Sequence, residues 1–185
     1  LFLDNNHEVL RFSDLVVGEG VQANQFCIRH GDRAALIDPG GDLTYTPLTI
    51  ALSRRISLDG LDYILASHQD PDIIASLPRW LMHTRSQVVV SRLWSRFLPH
   101  LASSYVTGKM GEQLQSRIQG VADEGKVLPF ADTEIWVLPA HFLHSVGNFS
   151  FYDPLSGILF SGDIGASLGG EEGQVDNFAD HLHSM

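Results

Sequence analysis

Cysteine is nearly absent from this chain. Cys27 stands alone among 185 residues, so no internal disulfide can form, and its apolar setting marks it as a core position. A reducing, cytoplasmic setting is the expectation that follows. Basic residues are also scarce: 12 Lys and Arg face 22 Asp and Glu, for a formal net charge of -10. No basic stripe exists to neutralise a phosphate backbone, which argues against a nucleic-acid partner. Nor is there a polybasic patch for an anionic membrane surface. No apolar run approaches the length of a bilayer span and no signal peptide is visible, so no membrane partner is expected. Tandem repeats, low-complexity tracts and linkers are missing too, which leaves one domain over residues 1–185 as the simplest organisation. With 44% hydrophobic and 18% charged residues, that domain can build a real core.

What is present concentrates between Leu61 and Trp80. Tyr63-Ile64-Leu65-Ala66 is an apolar run of the length of one buried strand. At its C-terminal end follows Ser67-His68-Gln69-Asp70-Pro71-Asp72, with one histidine and two carboxylates at alternate positions. Pro71 suits the first turn of a helix, which Ile73 to Leu77 continue until Pro78 perturbs it. Polar groups gathered where a strand meets a helix lie at the edge of an α/β sheet, where such folds bind ligands. Imidazole and carboxylate donors suit iron, manganese or zinc. The same residues also make an ordinary helix start, with Asp70 as N-cap, Pro71 at N1 and Asp72 complementing the helix dipole. This stretch alone does not choose between the two.

Around it, strands and helices alternate. A short strand is expected within Val9 to Val17. Residues 25–29 and 34–37 flank His30-Gly31-Asp32-Arg33 as a hairpin. Asp38-Pro39-Gly40-Gly41 ends the second of these strands in a loop, and Thr46-Pro47 opens a helix expected to reach about Ser57. Further on, Gln87 to Val90 reads as a buried strand, Ser91 as a helix cap, and Gly111 to Ile118 as a second helical piece. From Lys126 the texture becomes β-rich, with strands at Glu134 to Leu138, Asn148 to Tyr152 and Ile158 to Ser161. The order argues for α/β layering.

Two further clusters sit beside these late strands: His141-Phe142-Leu143-His144, and Asp163 within Ser161-Gly162-Asp163. Each alone reads as turn or core chemistry. Together they place every candidate ligand at or near a strand end. Taken in order, His-x-carboxylate-x-Asp after a strand, His-Ser-x-Gly-Asn, and Phe-Ser-Gly-Asp resemble the metallo-β-lactamase superfamily. More narrowly, the pattern resembles its flavodiiron branch and the oxygen-binding diiron proteins, over about residues 20 to 170.

The resemblance implies a four-layer αββα sandwich (α/β, or α+β) with two metal ions at one edge. It implies that His68, Asp70 and His144 hold the first metal, that Asp163 bridges both, and that Asp72 begins the second site. His141 is a near neighbour in this reading. Hydrolytic members usually carry a histidine where Asp70 stands, and flavodiiron proteins generally carry Glu. Ile73 occupies a position where many members have another histidine. The family's last histidine ligand has no clear match; His181 and His183 read as the start of a helix. A chain that does not begin with Met and stops at Met185 suggests a fragment whose C-terminal end, with that ligand, is missing.

Two iron ions and dioxygen are therefore the expected cofactor and ligand, with zinc or manganese able to use the same donors. Nothing in the sequence shows a flavodoxin domain, so reduction would need an external electron donor. That favours oxygen binding, with sensing through a signalling partner, over rapid reduction. The alternative is a dinuclear zinc hydrolase of the thioesterase or lactonase type, in which a metal-bridging hydroxide attacks a carbonyl. Asp70 and Ile73 argue against it, since both remove nitrogen donors. A third reading is a metal-free scaffold acting through protein contacts, against which five retained ligand candidates speak. The sequence is silent on oligomeric state.

Overall fold

A computed structural model describes residues 1–101, 108 and 115–166. The strands among them form two sheets. The first runs in chain order through β1 (Phe2–Asp4), β2 (His7–Phe12), β3 (Gln25–His30), β4 (Arg33–Ile37), β5 (Leu61–Leu65), β6 (Gln87–Ser91) and β7 (Ile118–Val121). Its first four strands pair antiparallel, and β4 to β7 pair parallel. The second sheet is antiparallel: β8 (Lys126–Phe130), β9 (Thr133–Pro139), β10 (Phe149–Asp153) and β11 (Ile158–Phe160) lie side by side. The α-helices α1 (Asp42–Ser53), α2 (Pro71–Ile74), α3 (Leu77–His83) and α4 (Arg92–Ser95) belong to the same mixed α/β architecture.

The period-2 pattern of the strands explains the layering. Ala34, Leu36, Ile64, Ala66, Val88 and Val90 face one way and pack with Leu48, Leu52, Ile73, Leu77 and Trp80 of the helices. Their strand neighbours Ala35, Ile37, Leu65 and Val89 face the other way, onto Phe130, Ile135, Val137, Phe149, Phe151 and Phe160 of the second sheet. The first sheet is thus buried on both faces, as continuous apolar strands require. Each large side chain so buried contributes about 1.5–3 kcal/mol. Cys27 lies in the helix-side core, and burial pushes its thiol up to about 12. The described residues supply the layers α, β and β of the expected four-layer sandwich.

Several boundaries differ from the sequence expectations. The strand expected within Val9 to Val17 is β2, shifted to His7–Phe12. α1 begins at Asp42 with Gly41 as N-cap, so Pro47 lies inside the helix rather than at its start, and the helix stops at Ser53. The N–H that proline lacks would have gone to the carbonyl of Leu43, an exposed residue, where water can take its place. The helix after Asp70 breaks at Ala75 and restarts at Leu77, with Pro78 accommodated in the first turn of α3. Residues 111–114 lie outside the described residues; Gln115 and Ser116 are helical as expected, but Ile118 opens β7 and does not end the helix. Its pairing with Val88 decides that local ambiguity.

Candidate metal centre

Topology gathers the candidate ligands at one edge. β4 and β5 are parallel, so Asp38 after β4 and His68 after β5 emerge at the same end. β10 and β11 are antiparallel, so the loop before β10 and the turn after β11 also share one end. The two edges are joined: Phe149 N–H donates to the Ser67 carbonyl at 3.0 Å. Close approach is needed at two glycines. A Cβ on Gly147 would meet Ser91 Oγ at 2.8 Å, and one on Gly162 would meet Ser67 Oγ at 2.9 Å. Both also have positive φ, +76° and +68°, which glycine adopts without strain. These are the glycines of the His-Ser-x-Gly-Asn and Ser-Gly-Asp motifs.

Within this edge, ligand atoms of His68, His144 and Asp163 all lie within 4.8 Å of one another. His68 Nε2 is 3.5 Å from Asp163 Oδ2 and 3.6 Å from Asp70 Oδ2. Asp70 Oδ2 is in turn 3.5 Å from His144 Nε2, and the two imidazoles meet edge-on with centroids 4.6 Å apart. Asp70 is the N-cap of α2, yet its side chain makes no capping hydrogen bond. Its carboxylate faces the histidines instead, which separates the two uses that the sequence left open.

Asp72 occupies the first turn of α2, half-buried, without an ion pair to the other four among the described residues. Ile73 is 1% exposed and packs in the helix-side core, as an ordinary apolar residue of α2 does. His141 turns away: its Nε2 donates to the Asp123 carbonyl at 3.0 Å and its ring packs against Phe149. His181 and His183 lie outside the described residues.

Behind the cluster stands a residue that the sequence reading passed over as loop. Asp38 is buried, and its carboxylate accepts from Ser67 N–H at 2.8 Å and from Ser67 Oγ–H at 3.0 Å. Ser67 Oγ, its proton committed to Asp38, can accept from His68 Nδ1 at 2.8 Å. That assigns the His68 proton to Nδ1 and leaves Nε2 to face the carboxylates. His68 Nε2 is fully buried and has no hydrogen-bond partner. A buried, unpaired donor atom aimed into a group of carboxylates fits a metal ion. The available clue to Asp38 was an acidic residue ending a strand in Asp-Pro-Gly-Gly, but its neighbour in space was not legible.

The charges agree with this arrangement. Burial pushes Asp38 up to about 6, against the pull of its two Ser67 hydrogen bonds. Burial alone would lower His68, but the Asp163 carboxylate 3.5 Å from its Nε2 and the charges of Asp38 and Asp70 outweigh it and raise its pKa. Asp163 is held below the usual carboxylate range by the His68 imidazole beside it, then by the charge of His144, against burial. Five groups whose charges act on one another, Asp38, His68, Asp70, His144 and Asp163, point to a functional site rather than a passive surface.

The comparisons with known proteins meet at this geometry. Residues 21–185 match the model of the ODP family beta lactamase. The chain belongs to that family. A solved structure described as the peroxy diiron species of chemotaxis sensor ODP is 34% identical, with a TM-score of 0.80, covering 100% of this chain and 71% of that one. A flavo di-iron protein from Thermotoga maritima, solved as a single-site mutant, matches with a TM-score of 0.72 at 22% identity, over 100% of this chain and 46% of that one. That likeness shows the fold: a metallo-β-lactamase-like core of the flavodiiron type. Among curated relatives, diflavin flavoprotein A 4 of Synechocystis sp. is 32% identical over 101 residues, 51% of this chain and 17% of that protein. The chain thus matches less than a fifth of that relative's length.

Proposed function

We propose that this protein holds two iron ions at the shared edge of its sheets and binds dioxygen there, as a sensor rather than as a fast reductase. The observation that carries the reading is the orphaned His68 Nε2 directed into the carboxylates of Asp70 and Asp163. The donor set is nitrogen and oxygen only and rich in carboxylate, which suits iron. Iron supplies the reversible electron exchange with dioxygen that no side chain here offers. The solved ODP sensor, with its peroxy diiron species, supports carrying that chemistry to this chain.

In this reading His68, Asp70 and His144 would hold the first iron, Asp163 would serve both, and Asp72 would contribute to the second. Asp38 and Ser67 fix the His68 ring so that Nε2 points into the site. Metal ions and protons would compete for the ligand atoms of such a site, so iron retention should rise with pH. An external electron donor restores the reduced state, or a signalling partner reads the bound one. No helix among the described residues is long and apolar enough to cross a membrane.

Metal analysis of anaerobically prepared protein tests this, followed by absorption spectra before and after air. The expected result is two irons per chain and a new near-ultraviolet and visible band on exposure. Protein that takes up only zinc and hydrolyses thioesters or lactones would replace this function with a hydrolytic one.

A further inference from the structure

The loop that carries His144 borders a second feature. Arg92, Leu93 and Arg96, on and just after α4, line a groove of about 270 Å³ together with Asp123. Arg29, Arg33, Arg55 and Arg79 each have a carboxylate partner. Arg92 and Arg96 have none among the described residues, and Arg96 lies 5.0 Å from the centroid of the Phe97 ring. The 140–147 loop closes one side of this groove: His141 is tied to the Asp123 carbonyl, and Gly147 packs beside Leu93. That loop turns Phe142 and Leu143 outward, 78% and 65% exposed. Phe142 is held at φ +64°, a left-handed conformation that disfavours an aromatic residue. Leu93, which lines the groove, and Phe97, next to Arg96 in sequence, are about half exposed. An apolar surface bordered by arginines that have no carboxylate partner among the described residues, next to the candidate metal centre, is the composition of a protein interface.

We propose that this face docks a small acidic electron-carrier protein, an inference that rests on the diiron reading of the adjoining site. The chain carries a net charge of -10, so an acidic partner is repelled by most of its surface and attracted by Arg92 and Arg96, which have no carboxylate partner among the described residues. Phe142 and Leu143 then supply apolar contact from the bordering loop, which also carries His144. Each docking passes one electron, so two carriers are oxidised by one electron each as the iron pair is reduced by two.

An acidic plant-type [2Fe–2S] ferredoxin is the probe, and calorimetry at low salt on the metal-free protein reads docking by itself. Wild type should form a complex that weakens as salt is added. Arg92→Glu with Arg96→Glu should weaken it about tenfold or more. Phe142→Asn should weaken it while leaving the salt dependence in place. On iron-loaded protein, reduced ferredoxin should reduce wild type faster than the arginine variant, whereas dithionite should reduce both alike. Ferredoxin that fails to bind wild type, or binds the arginine variant equally well, overturns the proposal. So does sedimentation showing that the arginine changes split a dimer, since a second copy then covers the face. If the protein binds ferredoxin but holds no iron, the diiron reading fails and the docking surface stands.

Discussion

Histidine and aspartate cluster at two opposite ends of the sandwich, with different outcomes. At the end away from the candidate metal centre, His7 Nε2 lies 2.6 Å from the buried Asp153 Oδ2, and His7 Nδ1 lies 3.0 Å from His30 Nδ1. His30 Nε2 continues the chain to Asp132 at 2.8 Å, and Asp153 also accepts from Ser156. Every ring nitrogen there already has a partner, on opposite sides of its ring. The donors form a line and cannot share one ion. At the other end His68, His144 and Asp163 converge within 4.8 Å, and His68 Nε2 has no hydrogen-bond partner. Residue types are alike at the two ends; the direction of the lone pairs differs. A satisfied line ties the two sheets together, whereas a converging group with unspent valence can bind a metal.

The strongest way to break this comparison is to remove one carboxylate from each end. Asp153→Ala should leave His7 buried without its partner and destabilise the fold by about 3 kcal/mol or more. Its metal content should be unchanged. Asp163→Ala should do the reverse, lowering metal affinity by about a hundredfold or more. Urea unfolding of the metal-free proteins, with metal analysis of the loaded ones, reads both. Equal metal content in Asp163→Ala and wild type would remove the contrast between the two ends.

A smaller effect sharpens the picture from the titration of the metal-free protein. The folded-state pKa of Asp38 is raised above its unfolded value, so the folded state binds the extra proton. Stability is therefore greater near pH 4 and falls as pH rises through about 6, by about 3 kcal/mol at most for this group. His68, also raised, contributes with the same sign from the unfolded imidazole value upward. Asp163 is depressed and has the opposite sign: its contribution is present above the ordinary carboxylate value and is lost on acidification. Unfolding midpoints between pH 4 and 8 with chelator present should show the decline, and Asp38→Asn should flatten its lower part. A wild-type midpoint that rises steadily across this range would contradict the assignment.

The smallest effect concerns Ile73. In the helix-side core, Ile73→Val should cost about 1 kcal/mol of stability and leave metal content and oxygen reactivity as they are. A change in the spectrum of the iron-loaded variant on exposure to air would instead make residue 73 part of the metal pocket wall.

Much of this was written locally. The apolar runs at 63–66 and 87–90, the hairpin around His30-Gly31, and Ser91 as a cap are short-range chemistry, and the structure has them. Ser91 Oγ accepts from Leu93 N–H at 3.1 Å, as a cap should. The ordered motifs around His68, His144 and Asp163 identified the family because ligand types and glycines must recur where backbones approach closely. Other decisions depended on partners remote in sequence. Pro47 looked like a helix start, but the packing of Tyr45, Leu48 and Leu52 moved that start to Asp42. Ile118 became a strand because Val88 was available beside it. Asp38 acquired its role through Ser67, 29 positions away, and Asp70 could be told from a simple cap only by the direction of its side chain. Sequence by itself determined which donors exist and near which strand ends they stand. Tertiary structure decided which lone pairs converge and which are already spent, because that depends on distances and directions between strands paired in space.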